Sequence, residues 1–330
     1  MTSTPLVTAI IATYNRAYIV GEAIESVLQQ TYSHLELIVI DDGSTDETQE
    51  TLKAYGDRIR VIRQPNAGPA AARNTGIRAS RGTYISFVDS DDVWRPSFIE
   101  KGVELLETCE FEIGGVFCDL ELISNGRFVP SMLQTYPKFW QVFGSLCKDG
   151  HEVNDGKEVL FPQQLIYTCL LEEMPVKLQA VTLRASAVHK VGRFLDSWRS
   201  GEDWEYFLRF ARHYGFAYVN SPLVTQRIQS DSTLARYKTV DAQNLMGRFI
   251  KEKKSLTRPD DFCAVRRSIA YHANELGWQY GEQGHPGKSC WTYMRGFLES
   301  GELRLFTRSA AALLPPILRR TLKKFRKGMA

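Results

Sequence analysis

The sequence predicts an α/β protein built on a mostly parallel sheet. Apolar, β-branched runs alternate with helix-period segments through its first half. The unusual polar clusters fall just after those runs, where the loops at the carboxyl ends of parallel strands gather and bind ligands. At 330 residues, 43% hydrophobic and 24% charged, the chain can bury the core of one large domain, or of one plus an appendage.

Each element follows from local pattern. Leu6 to Thr13 is a strand-like run, and Ala23, Ile24, Val27 and Leu28 recur at helical spacing. Leu35 to Ile40 is a second strand running into Asp41-Asp42-Gly43-Ser44, after which Thr45-Asp46-Glu47 reads as a capped helix start. Arg58 to Ile62 reads as a third strand, Ala70 to Ala79 as a helix entered through Gly68 and Pro69, and Tyr84 to Val88 as a fourth strand ending at Asp89. Gly115 to Ile123 and Phe128 to Val129 flank Ser124-Asn125-Gly126, a hairpin turn signal. Lys177 to Leu183 is a strand candidate, and Glu202 to His213 is helical from the spacing of Trp204, Phe207, Leu208 and Ala211. Beyond about residue 238 the text reads only as helix. Residues 130–176 match no assigned pattern.

Composition narrows the function classes. The six cysteines are scattered without a CxxC pair, so neither a zinc site nor a disulfide framework is indicated and reduced thiols are expected. The start lacks a basic leader with a cleavable apolar stretch, and no apolar run reaches bilayer-spanning length, so a cytoplasmic protein is expected. Net charge is +3, but eight basic residues and no acidic one follow Glu302, so the body before that tail is net negative. The basicity is local and gives no argument for nucleic acid.

Four groups of residues carry candidate chemistry. Asp89-Ser90-Asp91-Asp92 gathers three carboxylates that repel one another without a cation; hard oxygen ligands of this kind suit magnesium or manganese, and a solvated turn is the alternative. Asp41-Asp42 could serve a metal, a ribose or base, or only the cap of the next helix. Tyr14 offers a ring for stacking on a nucleobase or is an ordinary surface tyrosine, and Arg73 offers two-point contact to phosphate or a structural ion pair with Asp89 or Asp42.

Taken in order, four stretches resemble the nucleotide-binding half of glycosyltransferase family 2, whose fold is called GT-A. They are Ile10 to Asn15, Glu36 to Asp46, Asn66-Ala67-Gly68 with Ala71 to Asn74, and Gly82 to Asp92. The resemblance implies a GT-A αβα sandwich over residues 1–237, with a nucleotide-sugar half (1–110) and an acceptor half (111–237), and a helical extension over 238–330. It further implies that Ala12, Tyr14 and Asp42 hold base and ribose, that Arg73 lies near the donor, that Asp89 and Ser90 meet the ribose, and that Asp91 ligates a divalent Mn or Mg ion. Ser200 to Glu205 is similar to the family's acidic motif, which makes Asp203 the base that deprotonates the acceptor hydroxyl and Glu202 its positioning partner; the alternative is two acids favouring a helix N-terminus.

The implied activity is inverting transfer of a sugar from a nucleoside diphosphate, UDP by family frequency, to a saccharide or lipid-linked acceptor in cell-surface polysaccharide or glycolipid synthesis. One departure stands out: Gln229 occupies a position where many relatives carry histidine. Residues 303–327 interleave apolar and basic side chains around Pro315-Pro316, which suits either an anionic membrane surface on the cytoplasmic side or a docked helix with a solvated face. A dinucleotide oxidoreductase needs GxGxxG after the first strand, and a P-loop protein needs GxxxxGK[ST]; the chain has neither. A nucleotidyltransferase and a non-catalytic assembly subunit of the same fold remain as alternatives.

Overall fold

A computed structural model describes residues 4–109, 112–124, 126–153, 157–198, 200–228 and 233–314. The chain opens with β1 (Val7–Thr13), α1 (Val20–Leu28), β2 (Leu35–Asp41), α2 (Thr48–Lys53), β3 (Arg60–Arg63), α3 (Pro69–Ala79) and β4 (Tyr84–Asp89). β1 runs parallel to β2 and β4, and β2 parallel to β3, giving the order β3-β2-β1-β4. Ala12 lies opposite both Ile40 and Asp89, so three strands end level on one edge.

Period-two alternation sends β1 side chains into two layers. Val7, Ala9 and Ile11 share a core with Val20, Ala23, Ile24 and Val27 of α1. Ile10 meets α3 on the other face, so closely that a methyl on Gly76 would sit 2.4 Å from it. Helices therefore cover both faces, and the predicted αβα layering is present.

The chain continues with β5 (Val93–Trp94), α4 (Phe98–Thr108), β6 (Ile113–Ser124) and β7 (Arg127–Val129). β6 and β7 form the expected hairpin, with Ser124 opposite Arg127; Asn125 lies outside the described residues. The stretch that sequence left unassigned holds α5 (Pro137–Lys148), β8 (Glu152–Val153), β9 (Glu158–Phe161) and α6 (Gln163–Leu170). Then follow β10 (Val181–Arg184), α7 (Ala185–Val191), α8 (Glu202–Phe210) and β11 (Gly215–Ile228). β10 is antiparallel to both β4 and β6, and β11 is parallel to β6, which extends the same sheet as β10-β6-β11-β9-β8.

Some boundaries differ from the expected ones for identifiable reasons. α2 starts at Thr48, because Asp46 accepts hydrogen bonds from the amides of Ala17 and Thr48, both at 3.1 Å, and so ties residues 45–47 to the loop after β1. A 3₁₀ turn at Gly56–Arg58 delays β3 to Arg60. Another at Leu178–Ala180 delays β10, since the Gln179 carbonyl accepts the Trp94 indole N–H at 2.8 Å and not a strand neighbour. α8 closes at Phe210, three residues early, ahead of β11.

Contacts divide the chain into two units, Met1–Arg236 and Tyr237–Ala330. The sheet belongs to the first. α9 (Thr233–Lys253) begins before the boundary, and α10 (Pro259–Glu282), α11 (Pro286–Ser300) and α12 (Leu303–Ala312) complete the second. Here α10 and α11 approach closely: a methyl on Gly296 would lie 2.3 Å from the Ala273 side chain. Among the described residues no helix is long and apolar enough to cross a membrane.

Candidate active site

The edge where β1, β2 and β4 end is first made rigid by side chains that bond to neighbouring loops. Asn15 follows β1 at φ +52°, a region asparagine tolerates better than most residues. Its amide donates to Ser44 Oγ at 3.0 Å, and its Oδ1 accepts the Thr45 amide at 2.8 Å. Asp41 Oδ1 accepts the Ser44 amide at 2.9 Å, and its Oδ2 accepts Gln49 at 3.1 Å. Asp42 accepts three bonds: from Gln64 at 2.7 Å, the Ala67 amide at 3.0 Å and the Gly68 amide at 2.8 Å. Gly43, directly after Asp42, has φ +81°, and a side chain there would meet the Asn66 amide nitrogen at 2.8 Å. The loop after β2 thus grips the loop entering α3, and the residue that follows the two acids has to be glycine.

A buried charge chain crosses from this half of the sheet to α8. Arg73, on the first turns of α3, donates from Nη2 to Asp89 at 2.9 Å and from Nη1 to Glu202 at 2.5 Å. Burial opposes the Arg73 charge, but Asp89 and Glu202 more than offset it and hold the guanidinium protonated. Burial raises Glu202 above the ordinary carboxylate range, against the pull of Arg73. Asn74, next along α3, ties the Phe194 backbone and Asp196 to the same helix at 2.9 and 2.6 Å.

The loop after β4 is left short of positive charge. Burial first, and then the Asp89 charge, push the Asp91 carboxyl up to about 6, against Arg16 and Arg227. Burial with Asp89 and Asp91 pushes Asp92 well above its ordinary value. Arg227, near the end of β11, braces this loop by giving its amide to Asp92 at 2.9 Å, its Nε to the Asp91 carbonyl at 2.6 Å and Nη1 to Glu22 at 2.5 Å. Its Nη2 is buried without a hydrogen-bond partner among the described residues.

The remaining expected residues sit around this edge. Ala12 is half-buried at the end of β1, level with Asp89, and Tyr14 just beyond it is 44% exposed. Ser90 is buried. Glu202 is buried against Arg73, whereas Asp203 beside it is only partly buried and its Oδ1 accepts the Trp204 amide at 2.8 Å. Gln229 lies outside the described residues.

Comparison with known proteins decides the family. Residues 8–152 match Glycosyl transferase family 2. An uncharacterized glycosyltransferase of Rickettsia prowazekii is 31% identical over 234 residues, covering 69% of this chain and 66% of that protein. The chain belongs to glycosyltransferase family 2. It spans about two thirds of that relative's length. The Bacillus subtilis protein TuaG, named for teichuronic acid biosynthesis, is 38% identical over 34% of this chain and 46% of its own.

Solved structures agree on the fold of this family 2 chain. Staphylococcus aureus TarS residues 1–349, in complex with UDP-GlcNAc, superposes with a TM-score of 0.62 at 16% identity, over 98% of this chain and 87% of that one. The Pyrobaculum calidifontis mannosyltransferase PcManGT, in complex with GDP-Man and Mn²⁺, gives 0.57 at 19% identity, over 98% and 84%. With the layered sheet described above, these likenesses bear out the expected GT-A class.

Sequence reasoning did not single out Gln64, which holds Asp42, or Asn15, which locks two loops together. The pairing of Arg73 with Asp89 was one of two structural options open in the sequence. Its second partner, Glu202, lies 129 residues away, and no local pattern encodes that contact.

Proposed function

We propose that this glycosyltransferase moves a sugar from a nucleoside diphosphate, UDP in the first instance, to a saccharide or lipid-linked hydroxyl in cell-surface polysaccharide synthesis, with inversion. The observation that carries the reading is the chain Asp89–Arg73–Glu202, which links the strand end expected to hold the donor to the start of α8, where Asp203 stands. The neighbours bound to UDP-GlcNAc and GDP-Man, and the naming of TuaG, support the donor and polysaccharide parts.

In this reading Ala12 and Tyr14 flank the base, Asp42 and Ser90 flank the ribose, and Arg73 fixes Asp89. Asp42 has about four acceptor positions and gives three to its own loops, so one is left for a ligand. Asp203 accepts the acceptor proton as the new bond forms; an ordinary carboxylate is a weak base for a free alcohol, so proton transfer and attack are concerted. Attack opposite the leaving diphosphate inverts the sugar carbon without an enzyme nucleophile.

Among the described residues no three His, Cys, Asp or Glu side chains converge on one metal position. A single carboxylate still fits Mg or Mn, which keep waters and substrate phosphates as their other ligands. Asp91, held in a locally acidic and partly buried loop, is the residue that would hold the ion. The ion would neutralise charge on the departing diphosphate. The unpartnered Arg227 Nη2 suits a diphosphate oxygen as well.

The test is thermal stabilisation by UDP, GDP, CDP and dTDP, each with manganese, magnesium or chelator. A metal-dependent shift with one nucleotide supports the reading and names the base; no shift with any of them removes the donor assignment. Turnover then separates Asp203 from structural acids. Asp203→Asn is expected to lower it by about 10²–10⁴-fold with nucleotide affinity unchanged, and equal turnover excludes Asp203 as the base.

A further inference from the structure

We infer that α11 and α12 present a docking face for an anionic lipid bilayer. Trp291, Arg295 and Leu298 recur at spacings of four and three along α11 and so share one face. Leu303, Phe306 and Leu313 form a similar row along α12 and its C-terminal cap. Trp291 is 64% exposed and Leu298 69%, and the three α12 side chains are exposed too. Phe306 sets its ring 5.3 Å from Phe297 of α11, so α11 and α12 pack together at this point. Large apolar side chains gathered on a surface mark something that covers them.

Charge decides what covers them. Lys288, Arg295 and Arg308 border these rows in sequence, and none of the three forms an ion pair among the described residues. The nearby acids are already held: Glu299 by Lys253 at 2.6 Å and Glu302 by Arg304 at 2.7 Å. After residue 314 the sequence adds Arg319, Arg320, Lys323, Lys324, Arg326 and Lys327 with no acid among them. A second copy of the chain would bring like charge to the same face, which disfavours self-pairing. An anionic bilayer takes up both parts, burying the apolar rows at the headgroup boundary and pairing the cations with lipid phosphates.

The inference rests on helices distant in sequence from the donor site, so its failure would leave the transferase reading intact. Full-length protein is sedimented with vesicles of phosphatidylcholine alone and with vesicles rich in phosphatidylglycerol. Binding is expected only to the second, weakened by salt, and lower by about fivefold for each of Arg295→Gln and Arg308→Gln. The triple variant Trp291→Ser, Leu298→Ser, Phe306→Ser should lose binding while keeping the wild-type melting temperature and nucleotide-induced shift, since these side chains are exposed. Equal binding to both vesicle types, or full binding by the triple variant, overturns the inference. So does an oligomer, seen by light scattering, that the triple variant dissociates, because a second copy would then be the occupant.

Discussion

The two strands that flank β1 both end in clustered acids, yet the loops treat those carboxylates in opposite ways. After β2, Asp41 and Asp42 are buried and well bonded: five hydrogen bonds from Ser44, Gln49, Gln64, Ala67 and Gly68 reach them. After β4, Asp91 and Asp92 are partly or fully buried and short of compensating charge, so both resist ionisation. The same residue type at the same edge therefore builds two different things. Well-bonded carboxylates fix a platform, and undersatisfied ones store a demand for a cation at the cost of local stability.

The largest effect should come from the residue that ties the acidic β4 edge to the rest of the site. Arg73→Met leaves Glu202 buried beside no cation and frees Asp89. Removing one member of such a buried network costs about 3–5 kcal/mol, readable as a shift in urea midpoint. A loss below about 1 kcal/mol, the scale of an exposed pair, would show that the chain is not a structural link.

Next comes the proposed cation site. Asp91→Ala should lower turnover by about 10²–10³-fold and abolish metal-dependent stabilisation by nucleotide, while leaving the melting temperature in chelator unchanged or higher. Asp42→Asn should instead lower the melting temperature in chelator. An asparagine amide cannot accept on both sides, so one donor among Gln64, Ala67 and Gly68 would face an NH₂ group, at about 1–3 kcal/mol. If instead Asp91→Ala unfolds more readily than Asp42→Asn, the contrast between the loops is wrong.

The sequence reveals the parallel half of the fold because its signals are local. Apolar runs and the polar loops after them follow from periodicity within about ten residues. What it hides depends on distant partners. The clusters at Asp41-Asp42 and Asp89 to Asp92 read alike, since only Gln64, the residue 67 and 68 amides and Arg227 decide which is satisfied. Residues 130–176 were unreadable for a related reason: β9 is four residues long and pairs with β11, more than fifty positions later. The predicted strand from Lys177 failed at its start because a tryptophan side chain, not a backbone, claims the Gln179 carbonyl.

The finest test of the contrast uses pH. Burial and Asp89 raise the Asp91 carboxyl to about 6 in the folded chain, against about 3.9 for a free aspartate. Between those values the folded state binds more protons than the unfolded one, so the Asp91 contribution makes stability fall as pH rises through the window and stay lower above it. Asp91→Asn removes that penalty. In chelator it should melt above wild type at pH 8, with the difference shrinking towards pH 4. Asp92, raised in the same sense, remains in the variant, so the slope should diminish and not vanish. Adding manganese with nucleotide should reverse the order at pH 8, because only the wild type has the carboxylate to use the ion. Melting curves that stay parallel from pH 4 to pH 8 would mean that ionised Asp91 carries no penalty, and the two acidic loops would then differ in their partners but not in their energetics.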